Sequence, residues 1–144
     1  FQPGDVLIAH SVSGRNPVTI EVAMAARDAG AKVIAITNLT YSQSVTSRHP
    51  SGLRLFELAD VVLDNHGEVG DAAVAIEGLD QRVSPTSTVV GAIMLNSIVA
   101  ALVQRLVDDG MERPPVFYSA NLDGGDELNQ RLVDEYRDCI HYRF

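Results

Sequence analysis

The segment Ser11-Val12-Ser13-Gly14-Arg15-Asn16-Pro17 lies between an apolar run, Val6-Leu7-Ile8-Ala9, and an amphipathic stretch from Val18 to Ala29. A short apolar run bounded by turn residues predicts a buried strand, here Val6 to His10. The stretch after the turn predicts a helix, with Val18, Val22, Ala25, Ala26 and Ala29 on one face. Pro17 suits the first helical position, where a missing N–H costs nothing. Gly30 suits the left-handed residue that ends the helix. A strand, a hydroxyl-rich turn and a helix form a natural anion site without a metal. The first amides of a helix have no intrahelical acceptor, and the helix dipole adds partial positive charge there. Ser11, Ser13 and Asn16 can add polar side chains, Gly14 allows close backbone approach, and Arg15 can add charge. The same residues also read as an ordinary capped helix, with Asn16 as N-cap and the serines as turn residues. The local pattern leaves both readings open.

The following elements point to a parallel sheet. Lys32 to Thr37 is a second strand, Leu53 to Ala59 a short helix and Val61 to Asp64 a third strand. Strands alternating with helices predict an α/β layered fold. Ligands on such sheets sit beyond the carboxyl ends of the strands, where Ser11, Asn38 and Asn65 fall. Asn38 to Ser51 reads as a hydroxyl-rich loop. Ala73 to Ile76 and Arg82-Val83 suggest a small hairpin around Gly78-Leu79-Asp80. Ser84 or Thr86 is placed to cap a long helix that runs to about Asp108. Val116 to Ser119 suggests another strand, Asn121 to Gly125 a turn, and Asp126 to about Cys139 a final helix. With neither a repeat nor a linker visible, residues 1–144 are expected to form one domain.

Four stretches carry a resemblance. Ser-x-Ser-Gly-Arg-x-Pro after a strand resembles the phosphate loop of the SIS (sugar isomerase) domain. Glucosamine-6-phosphate synthase, phosphoheptose isomerase and N-acetylmuramic acid 6-phosphate etherase have similar loops, and the Gly14-Arg15-Asn16-Pro17 ending most resembles the etherase. Lys32 to Asn38, His66 to Ala72, and Gly78 to Gly91 with Pro85-Thr86-Ser87-Thr88 are similar to bacterial SIS proteins of the UPF0309 type. The resemblance implies a three-layer, doubly wound parallel sheet of the flavodoxin-like kind. It implies that Ser11, Ser13, Gly14 and Asn16 bind the phosphate of a sugar phosphate. It implies isomerisation, or a related elimination, of a hexose or amino-sugar 6-phosphate, with no cofactor. It also implies that a Gly-His-Ser-His segment and a glutamate pair precede what is seen here. The chain is therefore expected to lack the N-terminal strands of the domain and to need a partner over its sheet edge.

Of the histidines, His66 stands out. Gly67 and Glu68 follow it just beyond a strand end, and a histidine with a carboxylate can move protons on a sugar. His66 and Glu68 are thus the acid–base candidates; a simple turn is the alternative. His10 could line the site or bond to backbone. His49 reads as solvated and His141 as exposed. A metal finds little support, because His66-x-Glu68 lacks the helical spacing of a zinc pair. A dinucleotide loop, a Walker loop and a nucleophile elbow are all missing from the sequence.

With 19 acidic against 11 basic residues and a net charge of −8, nucleic-acid binding is not expected. Val89 to Val103, interrupted by Asn96 and Ser97, reads as a buried core helix rather than a membrane span. Its apolar faces exceed what the short sheet can cover, which predicts a homodimer or larger homo-oligomer. Cys139 is alone and so reads as structural, without a disulfide framework. With no visible leader, a cytoplasmic place is expected. A non-catalytic sugar-phosphate sensor is the alternative function, and a flavodoxin-like domain without sugar chemistry a third.

Overall fold

The computed structural model describes residues 1–139, so His141 lies outside the described residues. The chain divides into two compact units, one from Phe1 to Ser97 and one from Ile98 onward.

In the first unit, β1 (Val6–His10), β2 (Lys32–Thr37) and β3 (Val61–Asp64) form a parallel sheet in the order β1-β2-β3. All three strands have the limits that the apolar runs imply. The helix α1 (Pro17–Asp28) and the short α3 (Leu55–Leu58) pack on one face. There Leu7, Ala9, Val33 and Ala35 meet Ile20, Ala23, Ala26, Leu55 and Leu58. This is the α/β, flavodoxin-like arrangement of a parallel sheet flanked by helices.

The buried face of α1 differs from the expected one. Ile20, Ala23 and Ala26 are buried, whereas Val18 is 72% exposed and Val22 40% exposed. Apolar residues occur all round this helix, so periodicity alone does not select a face. Ala23 and Ala26 let the helix approach the sheet, and their spacing decides the outcome. The helix ends as Gly30 predicts. Gly30 has φ +81°. Its N–H donates to Arg27 O and that of Ala31 to Ala26 O, both at 2.9 Å. These are the two bonds of a Schellman ending.

Asn38 to Ser51 is not all loop, because Leu39–Ser44 forms a short helix, α2. The Asn38 side chain accepts from Tyr41 N at 2.8 Å and starts it. Arg54 ends it: one guanidinium nitrogen donates to Ser42 O, Gln43 O and Val45 O at 3.2–3.3 Å. The same guanidinium lies 4.7 Å above the Phe56 ring and pairs with Glu57 at 2.9 Å. That hydrogen bond holds the Glu57 carboxyl below its ordinary range.

The expected hairpin is present as β4 (Ala72–Val74) and β5 (Val83–Pro85), paired antiparallel. The long helix α4 spans Ser87–Asp108. Neither Ser84 nor Thr86 caps it with its side chain; the Asp71 carboxylate does so, accepting from Thr86 N at 3.1 Å and Ser87 N at 2.8 Å. A cap supplied from across the hairpin leaves no local sequence mark. The view of α4 as a buried core helix also needs correction: only Ser87 and Gly91 are buried. By length and composition alone α4 could cross a membrane, although helices that pack on protein pass the same test.

The second unit contains the rest of α4, an irregular stretch and α5 (Gly125–Glu135). Val116 to Ser119 is not a strand. Its Tyr118 N–H and C=O are taken by the Asn129 side chain at 2.8 and 2.9 Å, which replaces a neighbouring strand. Val103, Val107, Phe117, Leu128 and Leu132 line an open hollow of about 610 Å³. Cys139 follows α5 and is exposed, not a core residue.

Candidate functional site

The turn after β1 is held from inside by its carbonyl groups. Val12 O accepts from Asn38 N at 3.0 Å, Thr37 Oγ1 at 2.9 Å and Ser42 Oγ at 3.3 Å. Gly14 O accepts from Leu55 N at 2.8 Å and Arg15 O from Arg48 N at 2.9 Å. Peptide planes with carbonyls turned inward turn their amides outward. Among the described residues, the N–H groups of Ser13, Gly14, Arg15 and Asn16 have no acceptor, nor do the Ser11 and Ser13 hydroxyls have a partner. Asn16 occupies the N-cap position in an extended conformation but makes no capping bond. Its Oδ1 accepts from Arg48 Nη1 at 3.3 Å instead. A row of outward amides, two half-buried hydroxyls and an uncapped helix start together form a cradle whose chemistry suits an anion.

Two further loops meet this turn at the carboxyl edge of the sheet. Asn38, only 1% exposed, joins them. Its backbone N–H holds the first turn, and its side-chain amide donates to Gly67 O at 2.5 Å and Glu68 O at 3.3 Å. Thr37 Oγ1 and Ser42 Oγ lie 2.6 Å apart beneath the turn, both buried. In the sequence Thr37 reads as a strand end, Asn38 as a residue just beyond it and Ser42 as a loop hydroxyl, and their organising role comes only from the fold.

His66 takes a left-handed conformation, φ +50°, and its side chain is 87% exposed. Its Nδ1 is 3.4 Å from Asp64 Oδ2. Glu68 pairs with Arg82 at 3.1 Å. The two acid–base candidates share one loop, but they do not pair with each other. His49 is not solvated: its side chain is 13% exposed, and Nε2 lies 3.7 Å from Glu21 Oε1. Among the described residues His10 makes no backbone bond through its ring, which fits against Gly91 of α4. Among the described residues, no three His, Cys, Asp or Glu side chains gather around one possible ion site.

Asp64 organises the turn that carries His66. Its Oδ1 accepts from Leu39 N at 3.1 Å and His66 N at 3.0 Å. Burial pushes the Asp64 carboxyl up, but the two amides and the His66 imidazole together outweigh burial and hold it below its ordinary value of 3.8. A carboxyl lowered on folding stabilises the fold above its unfolded pKa and ceases to as pH falls through the folded one. The stability difference between wild type and Asp64→Asn is therefore expected to shrink as pH falls below about 4. Urea unfolding across that range checks this; a difference independent of pH would contradict it.

Comparison with known proteins bears on the same turn. A family model described as SIS domain matches residues 1–38, which include β1, the cradle, α1 and β2. A UPF0309 protein of Shouchella clausii is 55% identical over 139 residues, covering 96% of this chain and 56% of the relative. Another from Oceanobacillus iheyensis is 52% identical over the same shares. The chain is similar to UPF0309 proteins over nearly its whole length, and its first 38 residues match the SIS-domain model. Its relatives in the UPF0309 group also include one from Listeria innocua, 50% identical over 97% of this chain and 56% of that protein. The chain spans little more than half the length of the curated relatives it matches. The relatives are bacterial, and the names they carry specify no reaction.

Proposed function

We propose that this chain binds the phosphate of a hexose or amino-sugar 6-phosphate and belongs to an isomerase or a mechanistically related lyase. The observation that carries the reading is the cradle, where outward amides and the unpartnered Ser11 and Ser13 hydroxyls surround the uncapped start of α1. Both reaction classes open the sugar ring and remove a proton beside a carbonyl. A phosphate fixed away from the reacting carbons lets its binding energy orient them. His66 and Glu68 serve as supporting acid–base groups at the sugar end, with Glu68 released from Arg82 when substrate arrives. An imidazole suits proton transfer near neutral pH. No cofactor is part of the proposal. The lone Cys139 is in keeping with a reducing bacterial cytoplasm. A homodimer is proposed to cover the apolar residues that α4 exposes, among them Val89, Ile93, Val99 and Leu102.

A panel of phosphosugars tested by calorimetry and for turnover decides this. Ser13→Ala removes a hydrogen bond to a charged group, so binding is expected to weaken about tenfold or more with little change in stability. Unchanged affinity would remove Ser13 from the site. In full-length protein, His66→Ala is expected to lower turnover on the order of tenfold while phosphate-dependent binding persists. A second reading, a non-catalytic sensor, draws on the exposure of His66 and the Glu68–Arg82 pair. Binding of a phosphosugar with no turnover by full-length protein would favour it.

A further inference from the structure

The cradle has a second wall that the turn itself does not announce. Val45 to Arg54 folds back over it: Arg48 N donates to Arg15 O at 2.9 Å, and Arg15 Nη2 donates to Thr46 Oγ1 at 3.4 Å. The segment is tied down at several points. Ser47 Oγ donates to Leu53 O at 2.6 Å, and His49 Nδ1 accepts from Ser51 N at 3.2 Å. His49 Nε2 faces Glu21 on α1, and Arg54 holds the start of the segment through Val45 O. The backbone of Arg48 is thus fixed at the rim, and its side chain is exposed.

Charge bears on this placement. The chain carries −8 overall, and four of its arginines, Arg54, Arg82, Arg105 and Arg137, pair with carboxylates. Among the described residues, neither Arg15 nor Arg48 has a carboxylate partner. Arg15 Nε is enclosed without any acceptor, and Arg48 meets only the neutral Asn16 amide at 3.3 Å. The first turn of α1 has no acidic residue to occupy its positive end. An enclosed guanidinium nitrogen without an acceptor is costly unless a ligand or a rearrangement satisfies it.

We infer that Arg48 is a ligand-binding residue of the cradle, one that leaves Asn16 and takes a phosphate oxygen when a phosphate monoester or free phosphate binds. The inference rests on the phosphate-cradle reading above and adds the residue that supplies its charge. A guanidinium on phosphate forms charge-assisted, often paired hydrogen bonds. Asn16, released from Arg48, can then turn its own amide toward the anion.

Calorimetry with inorganic phosphate tests this on the full chain, comparing wild type with Arg48→Gln, Arg48→Lys and Ser13→Ala. Arg48→Gln keeps hydrogen-bonding capacity but loses the charge. It is expected to weaken phosphate binding about tenfold or more and to flatten the dependence of affinity on sodium chloride. Arg48→Lys is expected to recover part of both, with the thermal midpoint unchanged in each variant. If Arg48→Gln binds like wild type while Ser13→Ala does not, this inference falls and the cradle reading stands. If Arg48→Gln and Arg48→Lys are equally weak and both melt early, Arg48 is a structural latch and the inference again falls. If wild type binds no phosphate, both readings fall together.

Discussion

Gly14→Ala is expected to abolish most phosphate binding, by about a hundredfold or more, and to destabilise the first unit. Gly14 has φ +56°, and a Cβ there would lie 3.2 Å from Ser42 Oγ and 3.3 Å from Leu55 Cβ. The left-handed backbone alone costs an alanine about 1–2 kcal/mol. The neighbours give little ground. Ser42 is buried and bonded to Thr37 and Val12 O. Leu55 is buried in the core and its N–H holds Gly14 O. The easiest relief is to rotate the turn, which moves the outward amides away from a bound anion. Losing two hydrogen bonds to a charged group corresponds to about a hundredfold in affinity or more. Calorimetry with inorganic phosphate, beside thermal unfolding, measures both effects. A destabilised variant that binds as wild type would show that the anion does not depend on this turn.

The second large effect is expected at Asp71, away from the cradle. Its carboxylate accepts from Thr86 N, Ser87 N and Ser87 Oγ at 3.1, 2.8 and 2.7 Å. These bonds satisfy the first amides of α4 and place a negative charge at its positive end. Asp71→Ala is expected to cost about 2–4 kcal/mol, since each charge-assisted hydrogen bond contributes about 1.5–3 and the set is not additive. Asp71 also has φ +73°, a region that Asp and Asn tolerate better than Ala. Asp71→Asn is therefore expected to cost less than Asp71→Ala. Urea unfolding of both variants checks the order. If both match wild type within about 0.5 kcal/mol, α4 does not need this cap.

The strand–turn–helix unit around Gly14 was readable because its parts are contiguous. Ser11 to Pro17 contains the hydroxyls, the glycine and the helix start in one run, so the strand–turn–helix unit follows from local chemistry. The wall that faces it was not readable. Arg48 is 32 residues from Asn16. Nothing about an arginine in a hydroxyl-rich stretch shows which turn it will reach. His49 looked solvated for the same reason, since Glu21 comes from another element. His66 and Glu68 stand beyond a strand end as expected, but Arg82 as the partner of Glu68 depends on the hairpin bringing it back.

By itself the sequence determined what neighbouring residues can decide. Apolar runs bounded by turn residues set the limits of β1, β2 and β3. Gly30 stopped α1, and the turn around Gly78-Leu79-Asp80 joined β4 to β5. Only the tertiary structure decided what depends on residues far apart in the chain. It chose the Ile20, Ala23 and Ala26 face of α1, because several faces were apolar and only one fits the sheet. It gave Tyr118 to the Asn129 side chain instead of a strand, and it let Asp71 rather than Ser84 or Thr86 cap α4. Each of these outcomes satisfies a backbone group or an apolar surface with a partner that the local pattern does not specify.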